Sequence, residues 1–296
     1  MLQFKKLTLT DMDSLRPYFE YSITRTCDNT PGTVLMWRDY FNTEYTIFND
    51  TLLFKTTYKS HPSAFTLPMG KHVDTALLEL KNYCVELDIP FIFCVVTNEG
   101  EEILKKQFSC NTIDKTQERD WFDYLYTASD LATFTGHKYN GQRNHINYFK
   151  RTFPNYRFEP ITQENLPDVK SFFEELSRTT DKSTRSSVEE RTKVFEVLEN
   201  YSLYSMLGGV LYAENNVTAF AIGECVRDTL YVHIEKADAA CRGSYQMIVG
   251  EFAKYYVTPE IQFINREEDV GDEGLRRSKL SYHPLKLIEK YTIAIK

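Results

Sequence analysis

Apolar positions along the chain fall into short blocks with two different periods. Ile89–Val96 is an uncharged, largely apolar run, and it reads as a buried strand. It is flanked by His72–Asp88 and Asn98–Phe108, whose apolar residues recur at helical spacing. Further on, "TLYVHIEKA" alternates: Leu230, Val232 and Ile234 take one face of a strand, and Tyr231, His233 and Glu235 take the other. A turn with Arg242 and Gly243 leads into a predicted helix over Ser244–Tyr256, with Ile248, Phe252 and Tyr255 on one stripe. A strand over Ile261–Asn265 and a helix over Asp272–Leu280 follow. Strand, helix, strand, helix in each half predicts an α/β protein with mixed central sheets flanked by helices.

Two segments repeat the same pattern. FKKLTLTDMDSLRPYFE (Phe4–Glu20) and FEPITQENLPDVKSFFE (Phe158–Glu174) align without gaps, pairing Phe4 with Phe158, Leu7 with Ile161, Thr8 with Thr162, Asp11 with Asn165 and Phe19 with Phe173. Each reads as a short strand, a polar turn and an amphipathic helix, with Asp11 or Asn165 near the helix start. A repeat at this spacing implies duplicated domains. The proline in "FPNYR" (Phe153–Arg157) breaks the chain between them. The expected division is therefore residues 1–152 and 153–296, which suits a chain of 296 residues.

Composition narrows the function classes. A net charge of −7 argues against a general nucleic-acid coat. The six cysteines (Cys27, Cys84, Cys94, Cys110, Cys225, Cys241) have neither close pairing nor metal-ligand spacing, and they read as free thiols in a reducing compartment. No apolar run is long enough to span a bilayer, and the N-terminus lacks a signal-peptide apolar region, so a cytoplasmic location is expected. The polar stretch Ser177–Glu190 reads as a surface loop before a helix, with a substrate-facing lid as the alternative.

One stretch inverts the local charge. Leu131–Phe158 has no acid but carries Lys138, Arg143, Lys150, Arg151 and Arg157. Within it, "KYNGQRNHINYFKR" fits a helix with Ile146, Phe149 and Phe153 as its apolar stripe and Arg143 and Lys150 on a neighbouring face. Two readings stay open: a phosphate or other anion site, where such cations make charge-assisted bonds, or a solvated basic helix paired with acids elsewhere.

The second half carries the sharper chemistry. A strand, a glycine turn (Arg242-Gly243-Ser244) and a helix N-terminus together suit a phosphate group, because first-turn N–H groups are unpaired there. The carboxylates of "NREEDVGDEGLRRSKLSYHP" do not follow an EF-hand pattern, and no histidine lies close enough for an obvious transition-metal site. Asp272 and Glu273 suit a helix start, and Arg276, Arg277 and Lys279 suit its later turns. Leu275, Lys279 and Tyr282 are spaced to share a face, which brings an amine and a phenol together.

These residues resemble a known group. "VHIEKAD…RGSYQMIVGEFA", followed by "INREEDVGDEGLRRSKLSYHP" and preceded by "GQRNHINYFKR", is similar to the C-terminal catalytic region of bacterial lysylphosphatidylglycerol synthases and their stand-alone relatives. The resemblance implies two tandem GNAT-like domains, as in the Fem-type enzymes that move amino acids from aminoacyl-tRNA. It also implies that the first domain is a degenerate buttress and the second carries the active site. Acetyl-CoA users of this fold carry a pyrophosphate loop richer in glycine. Here the loop has a single glycine, and Tyr245 crowds the approach.

The expected activity is therefore acyl transfer of an aminoacyl type, with no tightly bound cofactor. The donor is an activated acyl group, charged tRNA ahead of acetyl-CoA, and the amine or hydroxyl acceptor is unnamed. Expected roles are Glu235 or Glu267 as general base with His233 as the alternative, and Tyr282 as proton donor to the leaving oxygen. Arg276 and Lys279 would hold donor phosphate or developing negative charge. Arg242, Gly243 and Ser244 would form the donor loop, and Arg143 and Lys150 would be secondary donor contacts. The competing readings are an acetyl-CoA-dependent N-acetyltransferase and a non-catalytic module of the same fold that binds a phosphorylated ligand or RNA.

Overall fold

A computed structural model describes residues 2–108, 113–179 and 185–296. The expected lid stretch lies partly outside these residues, and Cys110 lies wholly outside them. The chain forms two compact units. The first comprises Met1–Asp123, Glu268–Asp272 and Leu287–Lys296, and the second Tyr124–Glu267 and Glu273–Lys286. The crossing thus falls at Asp123/Tyr124 rather than at 152/153, and the basic helix Asn140–Thr152 belongs to the second unit.

In the first unit the sheet runs in the spatial order Lys5–Lys6, Glu44–Phe48, Thr51–Thr56, Ala64–Phe65, Phe91–Val96, Tyr291–Ile295, Ile113–Gln117. One pair is parallel, with Phe65 opposite Phe93, and the helix Val73–Glu86 makes its crossover. Leu53, Phe65, Phe93 and Ile293 point from the sheet into a core closed by Leu77 and Leu80 of that helix and Leu104 of Asn98–Phe108. The C-terminal strand lies between two first-unit strands and pairs antiparallel with both. A division at a single point along the chain fails for this reason: the first core is completed by residues from the far end.

In the second unit the order is Asp123–Thr127, Phe263–Asn265, Thr229–Ala237, Asn216–Val226, Leu207–Ala213, Arg157–Pro160. Again one pair is parallel, Thr229–Ala237 with Phe263–Asn265, bridged by the helix Ser244–Tyr256. Ile248 and Phe252 of that helix are buried as expected, but Tyr255 is 55% exposed. The aligned repeats share a local device. The Asp11 carboxylate accepts the Thr8 N–H at 2.9 Å, and the Asn165 amide oxygen accepts the Thr162 N–H at 2.8 Å, each holding the chain as it turns from strand into helix. Cys27, Cys84, Cys94, Cys225 and Cys241 are free thiols. Among the described residues no helix is long and apolar enough to cross a membrane.

Ile293 is fully buried in the first core. Ile293→Ala is expected to destabilise the protein by about 2–5 kcal/mol. Lys296→Ala, on the same terminal segment but exposed, should change stability by less than about 0.5 kcal/mol. Urea unfolding of the two variants checks this.

Candidate active site

The parallel strands of the second unit stay paired for three residues only. Thr229, Leu230 and Tyr231 face Phe263, Ile264 and Asn265, after which the two strands part. Two features shape the opening. On the long strand, Ile222 pairs with Ile234 and the adjacent Gly223 with Val232, so His233 is an extra, bulged residue. The bulge brings the backbones so close that a Cβ on Gly223 would lie 2.0 Å from the Tyr231 carbonyl oxygen, so only glycine fits. On the short strand, the Asn265 side chain accepts the Glu267 N–H at 2.7 Å, and Glu267 adopts a left-handed φ of 57°. This turn brings the consecutive Arg266 and Glu267 both within reach of the long strand.

Side chains then bridge the gap that the backbone leaves. His233 Nδ1 lies 2.8 Å from Glu267 Oε1, and its Nε2 lies 3.0 Å from Glu224 Oε1. Burial alone would push the imidazole down, but hydrogen bonds and charge from Glu224 and Glu267 outweigh it and raise its pKa to about 10. His233 is therefore an imidazolium clamped between two carboxylates, and it has no lone pair with which to act as a base near neutral pH. The bulge reverses the alternation, so Glu235, which pairs with Ala221, lies on the opposite face of the strand from Tyr231, which pairs with Glu224, and there it accepts a 2.7 Å hydrogen bond from Arg266 Nη2. The Arg266 guanidinium lies 4.5 Å from the centre of the Tyr282 ring. Its Nη1 is buried and has no hydrogen-bond partner among the described residues.

The last main helix, Glu273–Ser281, braces this arrangement. Lys279 is buried, and its ammonium donates to the Arg266 carbonyl at 2.5 Å, while its own carbonyl accepts the Tyr126 hydroxyl at 2.8 Å. Lys279 therefore fixes the end of the short strand rather than reaching outward to a phosphate. Tyr282 is 2% exposed, and burial pushes its phenol up, which keeps it protonated and able to donate. Arg276 is half-buried on the same helix.

The expected donor loop differs in detail. Gly243 is left-handed with φ 96°, and a Cβ there would lie 2.5 Å from the His145 carbonyl oxygen and 3.0 Å from Phe149. The basic helix Asn140–Thr152 thus covers the glycine against which a pyrophosphate would have to lie. Ser244 is buried and donates to the Asp238 carbonyl at 2.8 Å, and the exposed Arg242 lies 4.5 Å above Tyr148 of that helix. Arg143 donates to the Phe134 carbonyl, to the Gly136 carbonyl at 2.6 Å and to the Asn140 side chain, tying the turn that precedes its helix. Lys150 lies 4.0 Å from Glu251 and over the Tyr156 ring. Of the sequence candidates, Glu235, Lys279 and Tyr282 meet at Arg266 and Glu267 meets His233, whereas Arg143 bonds main-chain carbonyls near its own helix and Lys150 lies near Glu251. Arg266 and Glu224 were missed. The available signal for Arg266 was an arginine sharing a strand face with the core residue Ile264, since an arginine in such a position needs a buried carboxylate.

A splayed parallel pair with a helical crossover, present in both units, defines a tandem GNAT-type acyltransferase fold. Residues 20–294 match the family described as phosphatidylglycerol lysyltransferase, C-terminal, and the chain belongs to that family. The chain is similar to a conserved protein of unknown function from Bacteroides thetaiotaomicron VPI-5482, at 32% identity and a TM-score of 0.92 over 100% of both chains. It shares its fold with L-PGS from Bacillus licheniformis, at 14% identity and a TM-score of 0.63 over 95% of this chain and 91% of that one. FemX also shares the fold, at 8% identity and a TM-score of 0.60 over 100% and 98%. A curated relative, the uncharacterized protein MYCGA3080 of Mycoplasmoides gallisepticum (strain R(low / passage 15 / clone 2)), is 23% identical over 175 residues, 58% of this chain and 56% of that protein. The chain thus spans little more than half the length of this curated relative.

The clamp on His233 has a pH signature. Its folded pKa of about 10 lies above the ordinary 6.5. The stability it contributes is therefore full below pH 6.5, declines as the pH rises, and is lost above about 10. The urea midpoint of the wild type should exceed that of His233→Gln most at mildly acidic pH, and the gap should close on the alkaline side. A gap that stays constant or widens as the pH rises would contradict the clamp.

Proposed function

We propose that the second unit transfers an acyl group of the aminoacyl type from an activated ester to an amine or hydroxyl acceptor, with Arg266 stabilising the oxyanion. The observation that carries this reading is the buried Nη1 of Arg266, which has no hydrogen-bond partner among the described residues. A buried cationic N–H without an acceptor is costly unless something occupies it during function. The tetrahedral intermediate of acyl transfer places a developing oxyanion where such a donor is needed. The guanidinium is pre-set for this by its bond to Glu235 and by the Tyr282 ring. Glu235 is the group that takes the acceptor's proton in this reading, and the protonated Tyr282 phenol returns one to the leaving oxygen. His233 does neither, because both its nitrogens are engaged by carboxylates.

Charged tRNA is the donor class this geometry favours over acetyl-CoA. In the CoA-dependent mode of this fold, a thin acyl arm enters between the parted strands and its pyrophosphate lies on the glycine turn. Here the His233–Glu267 and Glu235–Arg266 bonds cross between the strands, and the backbone of the basic helix lies close over Gly243. The aminoacyl donor also agrees with family membership and with the folds of L-PGS and FemX.

The test is single-turnover loss of radiolabelled amino acid from a pool of charged tRNA, with hydroxylamine as a surrogate acceptor. The wild-type chain should accelerate that loss and leave acetyl-CoA unconsumed. Arg266→Ala should slow it by about 10²–10³-fold, as for other lost oxyanion donors. Arg266→Lys, which keeps the charge, should retain part of the rate. Turnover of acetyl-CoA with none of charged tRNA would reverse the assignment of donor.

A further inference from the structure

The first unit, expected to be a buttress, contains a cavity of about 510 Å³. Its floor is one face of the first sheet. Along the strands, Leu53, Phe65, Phe93 and Ile293 enter the dry core, whereas their neighbours Phe54, Thr66, Ile92, Cys94 and Thr292 line the cavity. The sheet is deformed at this spot. Tyr291 pairs with Val96 and Ile293 with Phe93, so Cys94 and Val95 together face the single residue Thr292. Val95 adopts a left-handed φ of 51°. A β-branched residue in that region is strained, and such strain and such bulges concentrate beside functional sites.

Two further features point to a ligand and to its chemistry. Thr66 is 7% exposed, and its hydroxyl has no hydrogen-bond partner among the described residues, although it lines a space large enough to hold one. The charged wall is asymmetric. Lys290 also lines the cavity, but its ammonium already lies 2.5 Å from Asp28, 2.7 Å from Asp123 and 3.6 Å from Glu268, so it is poorly placed to attract an anion. That ammonium also fills the centre of the Cys27, Asp123 and Glu268 group, where a metal ion would otherwise fit. Asp28 is only partly buried and lines the cavity with its carboxylate bound to Lys290. Lys59, the other cation of the lining, is exposed and lies 4.5 Å above the Tyr58 ring. His61 stacks on that ring, and Glu118 accepts the Trp121 N–H at 3.1 Å. Trp37, Phe41, Tyr58 and Trp121 add aromatic wall.

We propose that this cavity binds a small organic cation, an ammonium group on an aromatic or apolar body, with Asp28 taking the ammonium and the rings enclosing the body. Aromatic faces and a carboxylate are the pairing that recognises an ammonium. The threonine-rich floor, where the Thr66 hydroxyl has no partner among the described residues, accommodates a further polar atom of the ligand. The assignment stands apart from the transfer reading, since it concerns only residues of the first unit.

The sequence contains two tryptophans, Trp37 and Trp121, and both line the cavity, so intrinsic fluorescence reports directly on it. The full chain is titrated with phenethylamine, with phenethyl alcohol as the neutral isostere and phenylpropionate as the anionic one. Phenethylamine should give a saturable change and bind about tenfold more tightly than either isostere, the size expected for one charge-assisted contact. Asp28→Asn should remove most of that preference and leave the alcohol unchanged. Because Asp28 also touches Lys290, Tyr58→Leu at the partly exposed rim is the second variant. It should lower the preference about threefold, as the loss of one ring face predicts. Failure of all three probes to give a saturable change, tighter binding of phenylpropionate, or an undiminished amine preference in both variants would overturn the proposal.

Discussion

The candidate active site depends on the point at which two parallel strands cease to be partners. Thr229–Ala237 and Phe263–Asn265 share three paired residues and then diverge, which leaves a gap in the backbone hydrogen-bond network. A gap of this kind inside a folded unit must be filled, because unpaired polar backbone in a dry interior is costly. The chain fills it with side chains of opposite charge. Arg266 meets Glu235, His233 meets Glu267 and Glu224, and Lys279 takes the Arg266 carbonyl. Each buried cation is stable only because a carboxylate or carbonyl stands against it, and removing one partner would strand the other. The group is therefore mutually dependent, and it holds in place the Arg266 Nη1, which has no hydrogen-bond partner among the described residues.

Both units are built on the same strand–helix–strand crossover, and both bulge a central strand beside their polar feature. In the second unit the bulge is His233, admitted by Gly223, and it lies in the carboxylate clamp. In the first it spans Cys94 and Val95 opposite Thr292, and it borders a cavity. An extra residue in a strand turns side chains that would alternate between faces, which is how a regular sheet acquires a site without losing its core. The duplicated fold therefore supports two different environments: a dense charge network in one copy, and a threonine- and aromatic-lined space in the other.

Charge pattern alone was a poor guide to which cations are buried. Arg143 and Lys150 stand out in the sequence because no acid lies near them along the chain, yet Arg143 closes a turn through main-chain carbonyls and Lys150 lies near Glu251. Arg266, set among acids in "NREED", looks like part of a solvated run, yet it is the buried centre of the site. Local sequence reports which charges are neighbours in the chain. Desolvation, which decides how strongly a charge acts, depends on what packs over it.

The periodicity of the chain was enough to place most of the helices and strands that carry chemistry. Asn98–Phe108 and Ser244–Tyr256 have the predicted bounds, because helical spacing is set within a few residues, whereas the predicted alternation over Thr229–Ala237 holds only as far as the bulge at His233, beyond which Glu235 takes the opposite face from Tyr231. The duplicated turn held by Asp11 and Asn165 was legible for the same reason. Tertiary structure alone decided three things. It decided that Tyr291–Ile295 completes the first sheet, that Glu224 reaches His233 from the adjacent strand, and that a cavity opens over Thr66 and Val95. Each of these rests on pairing or on space between separate segments, and a hydrogen bond across a sheet or a void above one leaves no periodic trace in either segment.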